Sequence, residues 1–166
     1  PGLGYRSPSS SSKKKGTRMN APHSYAEWSK ILGFFKEKNM DSDILVAMKQ
    51  GSIEWQAGVA ERFSKKLIEA VNARMNMASE KFKKDMDRSQ GKESAIIQAI
   101  LALRKEMLFI LEAVDLPALP EKERKHYKNL VLEQLDTMQK SLENSAKTDR
   151  SGKMSSIVRG HKLNGL

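Results

Sequence analysis

AIIQAILALRKEMLFILEAV, residues 95–114, is the longest apolar stretch of this 166-residue chain, and its reading decides the fold. Gln98, Arg104, Lys105, Glu106 and Glu112 interrupt it, so it cannot lie comfortably in hydrocarbon, and no transmembrane helix is expected. Its apolar residues (Ile96, Ile97, Ile100, Leu101, Leu103, Met107, Leu108, Ile110, Leu111 and Val114) do not alternate as a strand would, and they predict a helix from about Glu93 to Asp115. They cover well over half of the helix circumference. A helix that apolar belongs in the middle of a bundle.

Upstream, Ser89-Gln90-Gly91-Lys92 predicts a turn out of a long third helix. Its Trp55, Val59, Phe63, Leu67, Val71 and Met75 step by four along one stripe, with Ser52 as the expected N-cap and Arg88 as the approximate end. Gly58 costs this helix about 1 kcal/mol relative to Ala and is expected to permit a close approach of helix one or two. Ser24 and Glu27 form an S-x-x-E capping box ahead of Tyr25, Trp28, Ile31, Leu32 and Phe35, a first helix to about Asn39. A short second helix with Ile44, Leu45 and Met48 stops at Gly51, read as a C-terminal glycine. Downstream, Leu116-Pro117-Ala118-Leu119-Pro120 ends the fourth helix, and Pro120, Glu121 and Glu123 suit the first turn of a fifth carrying Val131, Leu135, Met138 and Leu142.

The fold expected is all-α: an elongated antiparallel bundle of four to five helices over residues 24–145, with helices three, four and five running up-down-up. Disordered basic tails are expected at 1–23 and 146–166. Formal charge is +10 for the whole chain, of which residues 1–18 supply +5 and residues 146–166 supply +4. The bundle is thus close to neutral, and the tails hold too little apolar area to offset the entropy of ordering. The low-complexity SSSSKKKGTR ahead of Met19 reads as an expression remnant rather than a nucleic-acid arm.

Several chemistries are excluded or disfavoured. With no Cys, disulfides, thiolate nucleophiles and Cys-ligated zinc are excluded. Glu123-x-x-His126 has the spacing of a di-iron helix but occurs once, so no metal is expected. Asp85-Met86-Asp87-Arg88-Ser89-Gln90-Gly91 has alternate oxygens like a calcium loop, yet Gln90 and Ile96 replace the required Gly and Glu. No glycine-rich phosphate loop, H-E-x-x-H or G-x-S-x-G occurs, and no catalytic residue or cofactor is assigned.

Two surfaces remain. Met75, Met77, Phe82 and Met86, near the end of helix three, are candidates for a protein-binding groove, since Met adapts to irregular partners. Lys66, Arg74, Lys81, Lys84 and Arg88, from the basic stretch 62–92, are candidates for phosphate contact, although interleaved acids such as Glu69, Glu80 and Asp85 offset them. The expectation is a non-enzymatic helical interaction module, such as an adaptor, small regulator or immunity- or chaperone-like protein, with a protein partner and self-association as a homo-oligomer. A nucleic-acid-associated protein is the alternative, and an enzyme using carboxylates a third. Without a signal peptide, a transmembrane helix or Cys, a cytoplasmic location is expected.

Overall fold

The computed structural model describes residues 19–38, 40–53 and 56–166. Among these, all regular structure is helical: α1 (Tyr25–Lys36), α2 (Asp41–Gln50), α3 (Ala57–Ser89), α4 (Glu93–Val114), α5 (Glu121–Ala146) and α6 (Lys153–Gly160). The 33 residues of α3 span about 50 Å at 1.5 Å per residue and form the spine. Helix α4 packs on α3, α2 and α5, while α1 packs on α3 and α6 on α5. No described helix is long and apolar enough to cross a membrane.

The three long helices run up-down-up. Arg74 meets Glu106, which makes α3 and α4 antiparallel, and the Tyr127 hydroxyl donates to Ser64 Oγ at 2.6 Å, where α5 runs parallel to α3. The α3–α4 turn uses Gln90 and Gly91, both at positive φ. The core runs through Phe63, Leu67, Ile100, Met107, Ile110, Val131 and Leu135, each at most 1% exposed. Of the apolar residues on α4, Leu101 and Leu108 remain 43% and 46% exposed, so one side of this central helix is open.

At the start of α1 the capping box forms as the S-x-x-E spacing predicts. Glu27 N–H donates to Ser24 Oγ, and the Glu27 carboxylate accepts from the backbone N–H groups of Ser24 and His23. Glu27 is held below its ordinary carboxylate pKa, chiefly by the His23 N–H. The end of α1 is a tight corner in which Lys38 and Met40 both take left-handed backbone, at φ 59° and 55°. Such residues cost on the order of 1 kcal/mol each and persist only where the surroundings hold them.

Four expectations need correction. Gly51 follows α2, but its φ of −74° is ordinary. A Cβ at Gly51 would stand 2.6 Å from Trp28 Cζ2 and 2.8 Å from the Pro22 carbonyl oxygen, so close approach requires the glycine, not a left-handed cap. Ser52 does not cap α3, which begins after Gln56. Its hydroxyl pairs with His23 Nδ1 and its carbonyl accepts from Trp28 Nε1 at 2.8 Å, clasping the two ends of the α1–α2 unit. Gly58 admits no neighbour, since a Cβ there would meet nothing within 4 Å. Trp55, expected on the α3 stripe, lies outside the described residues, as do residues 1–18.

The fourth correction concerns residues 146–166, expected as a disordered tail. The Asp149 carboxylate accepts from Ser151 N–H, Ser151 Oγ and Met154 N–H, and Gly152 at φ 75° turns the chain into α6. Helix α6 buries Ile157 and Val158, and Leu163 is fully buried with its N–H donating to Gln139 Oε1 at 2.8 Å. The Asp149 pKa is lowered, with the Met154 N–H as the main cause. Three apolar side chains suffice because they dock on a surface α5 has already built.

Candidate functional site

Helix α2 packs on α1 and α4, and a cleft of about 720 Å³ is lined by α2, α3 and α4. Its floor is alanine-rich, with Ala78 from α3 and Ala99 and Ala102 from α4, and its apolar walls are Leu45 and Val46 from α2, Phe82 from α3 and Phe109 from α4. Val46 is 53% exposed, an apolar side chain offered to solvent at the cleft edge. A shallower trough of about 400 Å³ shares Lys81, Asp85, Ala99 and Ala102 and continues to Arg88 and Ala95 at the α3–α4 turn. From Ala95 to Phe109 the combined lining follows α4 for about 21 Å, the length of a four-turn helix, with Ala95, Ala99 and Ala102 spanning about 10 Å of it.

Beneath the cleft lies Arg74, whose side chain is fully buried. Its Nη1 donates to the Phe35 carbonyl at 2.9 Å and, with Nη2, forms a bidentate pair with Asp41 at 3.0 and 3.2 Å. Nε donates to Glu106 Oε1 at 3.0 Å, and Nη2 reaches the same oxygen. The guanidinium carbon sits 5.0 and 4.7 Å from the ring centres of Phe35 and Phe109, which stack on each other at 5.6 Å. Burial works against its charge, but hydrogen bonds to Asp41 and Glu106 outweigh this and raise its pKa above the ordinary value. One side chain thereby ties the end of α1, the start of α2, α3 and α4. This is what holds the strained Lys38–Met40 corner in place.

The rim charges are mostly neutralised by the chain itself. Asp41 and Glu106 hold Arg74, Glu106 also pairs with Lys38 at 3.2 Å, and Asp85 pairs with Lys81 at 2.7 Å. Every carboxylate lining the cleft and trough is thus engaged. Lys105 on the α4 wall and Arg88 on the α3 wall, both exposed, pair with no carboxylate among the described residues.

The sequence-predicted residues are distributed differently. Met75 is 6% exposed and belongs to the core, whereas Met77 is 40% exposed on another side of α3. Phe82 lines the cleft and also, with Met86, a separate groove of about 480 Å³ between α3 and α5, into which Leu163 of the C-terminal segment packs. The four do not form one patch. Arg74 is removed from the basic face altogether, because its charge faces inward to two carboxylates and not to solvent. Lys66, Lys84 and Arg88 are exposed, but Lys66 and Lys84 are about 27 Å apart along the helix, and Lys81 is engaged by Asp85.

Sequence reasoning missed Val46, Ala99, Ala102, Lys105 and Phe109. The signal was the spacing of Ala95, Ala99 and Ala102 on one side of α4, where small side chains leave a furrow. The position of Arg74 was also legible, since it falls on the same stripe as Leu67, Ala70, Val71, Met75 and Ala78. His126 is exposed, and among the described residues no group of three or more His, Cys, Asp or Glu side chains converges as a metal site. No family model, curated protein or solved structure matches the chain.

Proposed function

We propose that this chain is a non-enzymatic helical interaction module that receives a helical segment of a partner protein in the α2–α3–α4 cleft. The observation that carries this reading is the cleft itself: a lining that follows α4 for about four helical turns with alanines over two of them, apolar walls with Val46 offered to solvent, and a rigid base clamped by Arg74. Helix-in-groove recognition needs these features, an apolar furrow for the i, i+3, i+4 and i+7 side chains of the incoming helix and a scaffold that does not reorganise on binding. Adaptor, regulator or chaperone-like roles all fall within this reading.

The test is a titration of the isotope-labelled full chain with an uncharged amphipathic 16-residue peptide bearing Leu at those four spacings, followed by amide chemical shifts. Shifts concentrated at Val46, Ala78, Ala102 and Phe109 are expected. Shifts confined to the α3–α5 groove would move the site, and the absence of any shift at millimolar peptide would refute the reading.

A further inference from the structure

The cleft also specifies the charge of its occupant. Resting on the reading of the cleft as a helix seat, we infer that the partner is an amphipathic helix of acidic character, with carboxylates on opposite flanks near its first and last turns.

The three carboxylates that line the cleft and trough are Asp41, Asp85 and Glu106, and each is satisfied within the chain by Arg74, Lys38 or Lys81. A basic partner would have to displace one of these pairs. It would then leave a cation of this chain unpartnered, and in the case of Arg74 that cation is buried, which is strongly unfavourable. The cations left over are Arg88 at the α3–α4 turn and Lys105 toward the α2 end. They stand on opposite walls at opposite ends of the furrow. An incoming helix meets unpaired positive charge at both ends and no unpaired negative charge anywhere along its path. Complementary potential of this kind selects partners and speeds their encounter more than it adds affinity, so the expected signature is selectivity that depends on salt.

The experiment compares two labelled 16-residue peptides that share one Leu stripe and differ only in Glu or Lys on the flanks, titrated by anisotropy against the full chain at low and high salt. We expect the acidic peptide to bind about tenfold more tightly at low salt, with the difference shrinking at high salt. The double variant Arg88→Glu, Lys105→Glu should reverse the preference while leaving helix content unchanged, because both side chains are exposed, with a slightly lower melting temperature from the loss of the favourable charge in the last turn of α3. Ala102→Trp, which fills the exposed floor, should block both peptides. Equal or tighter binding of the Lys-flanked peptide overturns the inference and leaves the helix seat standing. Failure of both peptides, with failure of the uncharged one, overturns the seat as well. If a duplex oligonucleotide competes for Arg88 and Lys105 and binds Ala102→Trp unchanged, the cations serve phosphate, and the inference falls.

Discussion

Arg74→Met removes the charge beneath the cleft while keeping a stem of similar length beside the stacked Phe35 and Phe109. Wild type places five hydrogen bonds on this guanidinium, four of them to carboxylates. Deleting one partner of a buried ion pair costs about 3–5 kcal/mol, because the other is left uncompensated. Here the penalty sits at the low end, since Asp41 keeps 35% of its side chain in solvent and Glu106 retains Lys38. We expect a loss of about 3 kcal/mol, which at a urea m-value of about 1.5 kcal/mol/M lowers the denaturation midpoint by about 2 M. The triple replacement Arg74→Met, Asp41→Asn, Glu106→Gln leaves no stranded charge and should recover most of that loss. Arg74→Lys should fall between, because an ammonium cannot bridge two carboxylates and a carbonyl in one plane. Equilibrium urea unfolding followed by far-UV circular dichroism is the assay. A loss below about 1 kcal/mol for Arg74→Met, or a triple variant as unstable as the single one, would refute the account of the clamp.

Other expectations follow from single positions. Gly51→Ala should destabilise by about 1–3 kcal/mol through the clash with Trp28 and Pro22, while Gly58→Ala, in open space on a helix, should stabilise by about 0.5–1 kcal/mol; melting temperatures that move in the same direction for both would contradict the geometry. Leu163→Ala should cost about 2–5 kcal/mol as a core truncation, whereas a free tail would give no change in thermal melting. Glu27 and Asp149 both have folded pKa values below their ordinary 4.5 and 3.8, so the stability they contribute is present above those values and lost as pH falls through the folded ones. Glu27→Gln and Asp149→Asn should therefore destabilise at about pH 6 and progressively less below about pH 4, and a penalty independent of pH would show that the charge is not what the caps use.

Helices α1, α2, α4 and α5 are legible because each is written locally, whereas α6 is not. The α1 capping box, the Gln90-Gly91 turn, the Pro120 boundary and the α4 periodicity are all patterns within a few residues of one another. Gly51 was legible as a break in the helix but not in its reason, since the contact that forbids a side chain comes from Trp28 and Pro22. The site was read least well. Met75, Phe82 and Met86 were grouped by proximity along one helix, whereas burial depends on which neighbour covers each azimuth, and that turned Met75 to the core and left Met77 outside. Basic residues are usually at the surface, and Arg74 is an exception whose place on the apolar stripe of α3 points inward.

By itself the sequence determined that the chain is all-helical, where α3 ends, and where α4 and α5 begin and end. Hydrophobic period and capping chemistry act within one or two turns and need no partner. Only the tertiary structure decided that residues 153–163 fold back onto α5, that Arg74 clamps four helices, and that the open furrow lies between α2, α3 and α4. Those outcomes depend on groups brought together from positions far apart in the chain, 33 and 32 residues for Arg74 with Asp41 and Glu106, and 24 for Leu163 with Gln139. Burial against a remote surface reverses what a polar or charged residue would do alone, and a local pattern carries no record of that surface.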